Sequence, residues 1–435
     1  MREPLRRVIW RVAAPAVASN LLMTVFLAVD AFWIGTRLGA TALAAATASV
    51  FWVWMGISVA EMVSVGLTAV AARRHGEGRA AEAARTAGDA VVLALLLGGL
   101  AAAAGRLGLG AMFAAMHTPA PIAALGREYL GLYVLAAPVL YGYFAVDATF
   151  RAAGDTRTPF LILLASVAVA LALDPVLILG LGPAPRLGIA GAALATVTTR
   201  SLAFAVGLAI LVRRGMLRVG RPRAAVLARI VRIGLPTAAT GILFSVVYVV
   251  VGRTAAAFGT PALAALGLGF RVESWLYMLG VGFGAAAAAV VGQNLGARRP
   301  DRAERAGWAM LGAATVPALA ATTASLLLPE AMAALFTRDA AVIAETARYL
   351  RIAAVSQLVV CAEVVLEGAL GGAGATLAPM VASTTLTVAR IPLAAWAAAR
   401  FGVVGLWWVI AATATLRGVA MVGLWRLGRW KRNVV

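Results

Sequence analysis

Lysine is almost missing from this chain of 435 residues: there is one, Lys431, close to the C-terminus. That excludes a P-loop ATPase, whose lysine must reach the nucleotide phosphates. It also leaves no interior lysine for Schiff-base chemistry. Cysteine is as scarce, and the single Cys361 has no partner for an internal disulfide; it lies in an apolar segment, where packing accounts for it. The two histidines, His75 and His117, fall in short connections and make no metal-ligand spacing. No H-E-x-x-H or G-x-S-x-G run occurs. The glycines between Gly280 and Gly284 lie inside an apolar run, where small residues serve close helix packing better than phosphate binding.

Charged residues are few as well, at 13%, while 62% of the chain is hydrophobic and the mean hydropathy is +0.92. A soluble protein of this length cannot bury so much apolar surface, so lipid is the solvent for most of it. The net charge of +20 would suggest nucleic acid in a soluble chain. Here the arginines punctuate apolar runs, which argues membrane topology, lipid contact and no nucleic-acid partner.

Twelve apolar segments are separated by charged or Gly/Pro clusters, at 9–34, 42–71, 87–105, 122–146, 159–181, 188–212, 234–257, 262–292, 306–328, 348–370, 377–399 and 403–425. The first is too long for a signal peptide and flows into further spans, so it reads as a transmembrane helix. Eight arginines lie in the connections that follow odd-numbered spans. Twenty-five arginines and lysines lie in the termini and the other connections. The positive-inside rule then puts both termini in the cytoplasm of a multi-pass protein of the cell membrane.

The halves of the chain repeat. ATALAAATAS (40–49) answers TPALAALGLG (260–269), ARRHGEGRAAEAARTAG (72–88) answers GQNLGARRPDRAERAGW (292–308), and DATFRAAGDTRTPF (147–160) answers EGALGGAGATLAPM (367–380), all at an offset of 220. RLGIAG (186–191) answers RFGVVG (400–405) at an offset of 214. Six spans per half is an even number, so equivalent helices run in the same direction. The expected fold is an all-α polytopic membrane protein with twelve transmembrane helices. They form an N-lobe over 1–212 and a C-lobe over 234–435, joined by a cytoplasmic linker over 213–233 and related by a pseudo-two-fold along the membrane normal. Two such lobes suit alternating access, with a substrate cavity between them.

Ionisable residues within spans are functional candidates, since burying charge in lipid is costly. They are Asp30, Glu61, Asp147, Asp174, Glu273, Glu363 and Glu367, with Arg200, Arg253, Arg271, Arg390 and Arg417. Asp30 lies in the outer half of span one, downstream of Pro15. Asp174 lies directly before Pro175, about 14 residues or ~21 Å into span five. That proline removes a backbone donor and frees carbonyls one turn earlier, so the carboxylate beside them suits a proton or a small hard cation. Asp30 and Asp174 facing each other would make a proton carrier, since a like charge and desolvation both favour protonation. Asp147 and Glu367 are repeat equivalents at span ends, where structural roles suffice, and GDTRTP is suited to cap span five. Glu363 and Glu367 repel unless one is protonated or Arg417 reaches them. Arg271 and Glu273, two apart on a helix, cannot pair with each other and form an additional charged network only through other spans.

The ordered motifs resemble the multidrug and toxic compound extrusion (MATE) transporters of the MOP flippase superfamily. They are Pro15, the VD of Asp30, Gly35 to Gly39 and ALAA from Ala42; then GDTRTP, LDP and GIAGAALAT; then GLP, FRVES and VGQNLGA in the second half. The resemblance covers essentially the whole chain and looks closest to the DinF-like branch. It implies a transporter and not an enzyme, without a cofactor, exporting cationic or amphipathic compounds by cation-coupled antiport. Asp30 and Asp174 match its first- and fifth-helix acids, and Thr196 its sixth-helix threonine. The branch's asparagine one turn before the fifth-helix acid is Ala170 here, which favours H+ over Na+ at these residues. The acid of span seven in NorM-like members has no counterpart near Phe244 and Ser245, so no C-lobe sodium site is carried over.

In the resulting expectation, protonation of Asp30, aided by Asp174, alters the packing or bend of span one near Pro15 and expels substrate. A monomer suffices. The alternatives are a lipid-linked oligosaccharide flippase, which calls for a strongly cationic cavity, and a membrane-embedded transferase, which calls for an acidic Mg²⁺ cluster.

Overall fold

Apolar runs without strand-like alternation leave the helix as the one structure that satisfies its own backbone in lipid, and helices account for the regular structure. A computed structural model describes residues 4–116, 118–182 and 185–432, and within them the chain forms thirteen α-helices. His117, assigned above to a connection, lies outside the described residues. Helices α1 (Leu5–Leu38), α2 (Ala40–Gly76) and α3 (Ala80–Ala115) hold the first three spans. Their ends run past the apolar segments, because the flanking arginine-rich sequence continues the helical turns.

The fourth span is broken. Helices α4 (Ala120–Leu135) and α5 (Ala137–Ala152) meet at a 52° bend, where Pro138 lacks the N–H that would carry the helix through. Helix α6 (Arg157–Leu179) begins where Asp155 accepts the Thr158 N–H at 2.9 Å and ends at Gly180, whose φ of 73° is the left-handed stop. Helices α7 (Ile189–Arg213), α8 (Ala224–Ala256), α9 (Thr260–Gly296) and α10 (Pro300–Leu327) follow, then the short α11 (Pro329–Ala334). Helix α12 (Ala340–Gly372) is capped by Asp339, which accepts from the backbone of Ala341 and Val342. The last two spans run together as α13 (Leu377–Leu427), interrupted at Gly402 by a φ of 64°. Ten helices are long and apolar enough to cross a membrane, besides the bent pair. Counting that pair once and α13 as two matches the twelve segments.

The chain gathers into two compact units. Among the described residues, one comprises Ala18–Ala238 and Gly296–Arg298; the other comprises 4–17, Ala239–Leu295 and 299–432. The first turns of α1 and of α8 therefore belong with the opposite half of the sequence. Ile9, Val12, Ala13 and Ala16 are buried among Phe283, Val290, Met310 and Trp425. Ile230, Ile233 and Ala238 are buried among Val63, Leu67, Tyr141 and Phe150. Between α7 and α8 the connection is strapped down: the Arg218 N–H donates to the Ala84 carbonyl, and Leu217 is buried in the same core.

Candidate functional site

Helix α1 has Pro15 inside it and Asp30 four turns further on. Asp30 is 7% exposed, and its Oδ1 has no hydrogen-bond partner. Helix α6 contributes Asp174, fully buried, with neither carboxylate oxygen hydrogen-bonded. Pro175 follows it inside the helix, which leaves the Leu171 carbonyl without its usual intrahelical donor. The two acids lie within electrostatic range of each other, so the fold brings together two carboxylates that are 144 positions apart.

Helix α4 supplies two groups that the sequence did not single out. The Tyr129 hydroxyl reaches Asp30, and the Tyr129 and Tyr133 hydroxyls are 3.3 Å apart. Beside Tyr133, Thr196 of α7 is buried with its Oγ1 unpartnered. One turn along α7, the Arg200 guanidinium lies over the rings of Tyr143 (5.3 Å) and Phe26 (6.0 Å) and points at the Met23 sulfur. No carboxylate of the described residues comes within 4 Å of it. Ala170, one turn before Asp174, is buried and contributes no side-chain oxygen. As a donor set this offers two carboxylates, a hydroxyl and a freed carbonyl, arranged around atoms that have no other partner.

The remaining intramembrane charges divide between partners. Asp147 pairs with Arg151 at 2.9 Å one turn away, and Arg151 also donates to Ser64. Arg417 does reach Glu363, at 3.5 Å, and its guanidinium lies over Phe244. Glu273 and Arg271 are not paired with each other: Glu273 accepts from Tyr349 at 2.8 Å, while Arg271 is exposed. Arg390 donates to Thr413 at 2.8 Å.

Comparison with known proteins identifies the fold and the family. The MatE family model matches residues 15–176 and 236–396, one copy in each half of the chain. A protein of Thermotoga maritima called probable multidrug resistance protein NorM is 27% identical over 99% of this chain and 94% of its own length. One of Shewanella oneidensis called FAD transporter is 29% identical over 70% of this chain and 69% of its own. Among solved structures, a MOP superfamily transporter from Pyrococcus furiosus, described as having a binding pocket of reverse polarity, shares the fold. Its TM-score is 0.90, with 21% identity over 98% of this chain and 96% of that one. With the repeated match, the helical spans and the motifs in agreement, the chain belongs to the MatE family and is an integral membrane transporter, not an enzyme.

Proposed function

We propose that this transporter is a multidrug exporter, exchanging cationic or amphipathic compounds for a coupling cation, with H+ preferred over Na+. One observation carries the reading: Asp30 and Asp174 are buried near each other with three of their four carboxylate oxygens unpartnered. Buried polar atoms without partners are costly, and a bound proton or cation removes that cost. The preference for the proton rests on Ala170, which stands where the DinF-like branch has an asparagine and so removes one side-chain oxygen from a set that a hard metal cation would use.

In this reading both termini are cytoplasmic, the functional unit is a monomer, and the lobes run over 1–212 and 234–435. A proton taken up by Asp30 neutralises one of two facing acids and lets α1 repack beside Asp174 and Tyr129. The movement runs along α1 toward Pro15, where a missing backbone hydrogen bond makes bending easiest. Substrate leaves as the N-lobe side rearranges. Thr196, unpartnered beside Tyr133, is placed to accept or pass on the hydrogen bond that Tyr129 gives up.

The test uses purified protein in sealed vesicles and a fluorescent cationic dye, under an imposed proton gradient without sodium. Dye movement that is lost in Asp30→Asn is the expected result. Full export by Asp30→Asn refutes the site, and movement that requires a sodium gradient refutes the ion.

A second substrate class has an observation of its own. Arg200, stacked by two rings and without a carboxylate in contact, suits an acidic group attached to an aromatic ring, and one relative is called a FAD transporter. Competition of a flavin dinucleotide with the dye, lost in Arg200→Gln, would favour it.

A further inference from the structure

Tyr129 and Tyr349 occupy the same place in the two halves. REYL at 127–130 answers ARYL at 347–350 at the offset of 220 that relates the longer repeats. Both rings are buried, and both hydroxyls face a carboxylate. The acid, however, comes from a different helix each time: Asp30 on α1 for Tyr129, Glu273 on α9 for Tyr349. By the same offset, Asp30 corresponds to Val250 and Glu273 to Val53. Duplication therefore supplied the tyrosine twice and the carboxylate neither time. Each half has placed an acid against the same hydroxyl by its own route.

The surroundings of Glu273 leave its charge uncompensated by contact. From α12 it receives the Tyr349 hydroxyl and nothing ionised. From α8 it faces Tyr248, whose hydroxyl is buried without a hydrogen-bond partner and whose ring packs on Phe270 at 4.9 Å. From α13, Arg390 is within electrostatic range, but its hydrogen bond is committed to Thr413. Glu363 is matched by Arg417, and Glu345 accepts from Trp407 and Arg348. Among the described residues no cation lies within 4 Å of Glu273. It sits about 13 residues, or ~20 Å, along α9. A carboxylate within a membrane span whose one hydrogen-bond donor is neutral, with its nearest guanidinium out of contact, is expensive to keep ionised. A proton is the smallest species that relieves this, and a protonated Glu273 gains an O–H that the free Tyr248 oxygen can accept.

We propose that the second half of the chain has a proton-binding centre of its own, in which Glu273, held by Tyr349, takes up and releases one proton in each transport cycle in addition to the Asp30–Asp174 pair. The inference rests on the proton-coupled reading above. The two sites are separate in sequence and in their helices, so their contributions are separable.

The experiment counts protons directly. Wild-type protein in detergent and weak buffer is titrated with rhodamine 6G, an aromatic cation, and the protons released per dye bound are recorded against pH. Glu273→Gln is expected to bind the dye and release one proton fewer than wild type. Tyr349→Phe keeps the count. Because it removes a hydrogen bond to the ionised carboxylate, it raises the proton affinity about tenfold, moving the midpoint of release by about one pH unit. Glu273→Gln with the wild-type count, or Tyr349→Phe with the wild-type midpoint, overturns the proposal; the second variant serves if the first does not fold. If Asp30→Asn lowers the count while Glu273→Gln does not, this centre alone is wrong. No proton release from wild type removes both readings together.

Discussion

Gly368 in α12 tests whether the contact between α9 and α12 is set by backbone approach. A Cβ at Gly368 would stand 2.5 Å from the Gly284 carbonyl oxygen and 2.6 Å from the Gly284 Cα. Comfortable separations are ~3.5–4.0 Å, so Gly368→Ala forces the helices apart by about 1 Å at this point. The obstacle is backbone and cannot rotate away. Overpacking of this kind costs about 1–3 kcal/mol, and a main-chain obstacle puts Gly368→Ala near 3, roughly a hundredfold in the unfolding equilibrium. Gly267, in α9, is the control, because nothing lies within 4 Å of a Cβ there. Gly267→Ala should gain about 0.5–1 kcal/mol from helix propensity alone. The assay is equilibrium unfolding of both variants in one detergent, followed by circular dichroism. Wild-type stability in Gly368→Ala would refute the reasoning, since it would mean that the two helices slide apart at no cost.

Two further expectations concern the ends of the helices. Asp89 in α3 is 3% exposed and accepts from Arg223 at 2.7 Å, so Asp89→Ala should release the strap between α7 and α8. Because Arg223 is partly exposed, the cost is about 1–2 kcal/mol, below that of a fully buried pair; hydrogen exchange over 214–223 should quicken, and unchanged exchange would count against the strap. At the turn after α2, burial pushes Glu77 up, but hydrogen bonds and charge from Arg74 and Arg79 outweigh it and hold its carboxyl below the usual value of about 4.5. Its stabilisation is therefore present above that value and lost as pH falls through the lowered one. Glu77→Gln should cost at most ~0.5 kcal/mol near pH 7 and nothing near pH 3, read as the difference in melting temperature; a cost that grows toward acid would reverse the sign and refute it.

Much of this was legible in the sequence, because lipid imposes a single rule. A run of apolar residues long enough to span must be a helix, so twelve segments could be read without any packing information. The break in the fourth span was not read, because hydropathy carries straight across Pro138 and hides it. Asp30 and Asp174 announced themselves as acids where acids are expensive. Tyr129, Tyr133 and Tyr349 did not, because a tyrosine in an apolar run is ordinary until a partner is known; the repeat offset was the one signal available, and it covers Tyr129 and Tyr349 but not Tyr133. The pairing of Arg417 with Glu363 could be anticipated from repulsion between Glu363 and Glu367. The partner of Glu273 could not, since it lies 76 residues away. The exchange of the first turns of α1 and α8 between units could not be read, because an apolar helix pattern does not say which unit it packs in.

That exchange sets an order for biosynthesis. At ~5–20 residues per second, the core that holds Val63 and Phe150 must wait for Ile230 and Ile233, so the first half cannot close when its own six spans have emerged. The beginning of α1 waits longest. Ile9, Val12 and Ala13 are made about 400 residues ahead of Trp425, one of the side chains they are buried with. For about 20–80 s this stretch is without its full set of native neighbours. Whatever shields it through that interval, lipid or an insertion factor, is as much a condition of the finished transporter as the residues it finally meets.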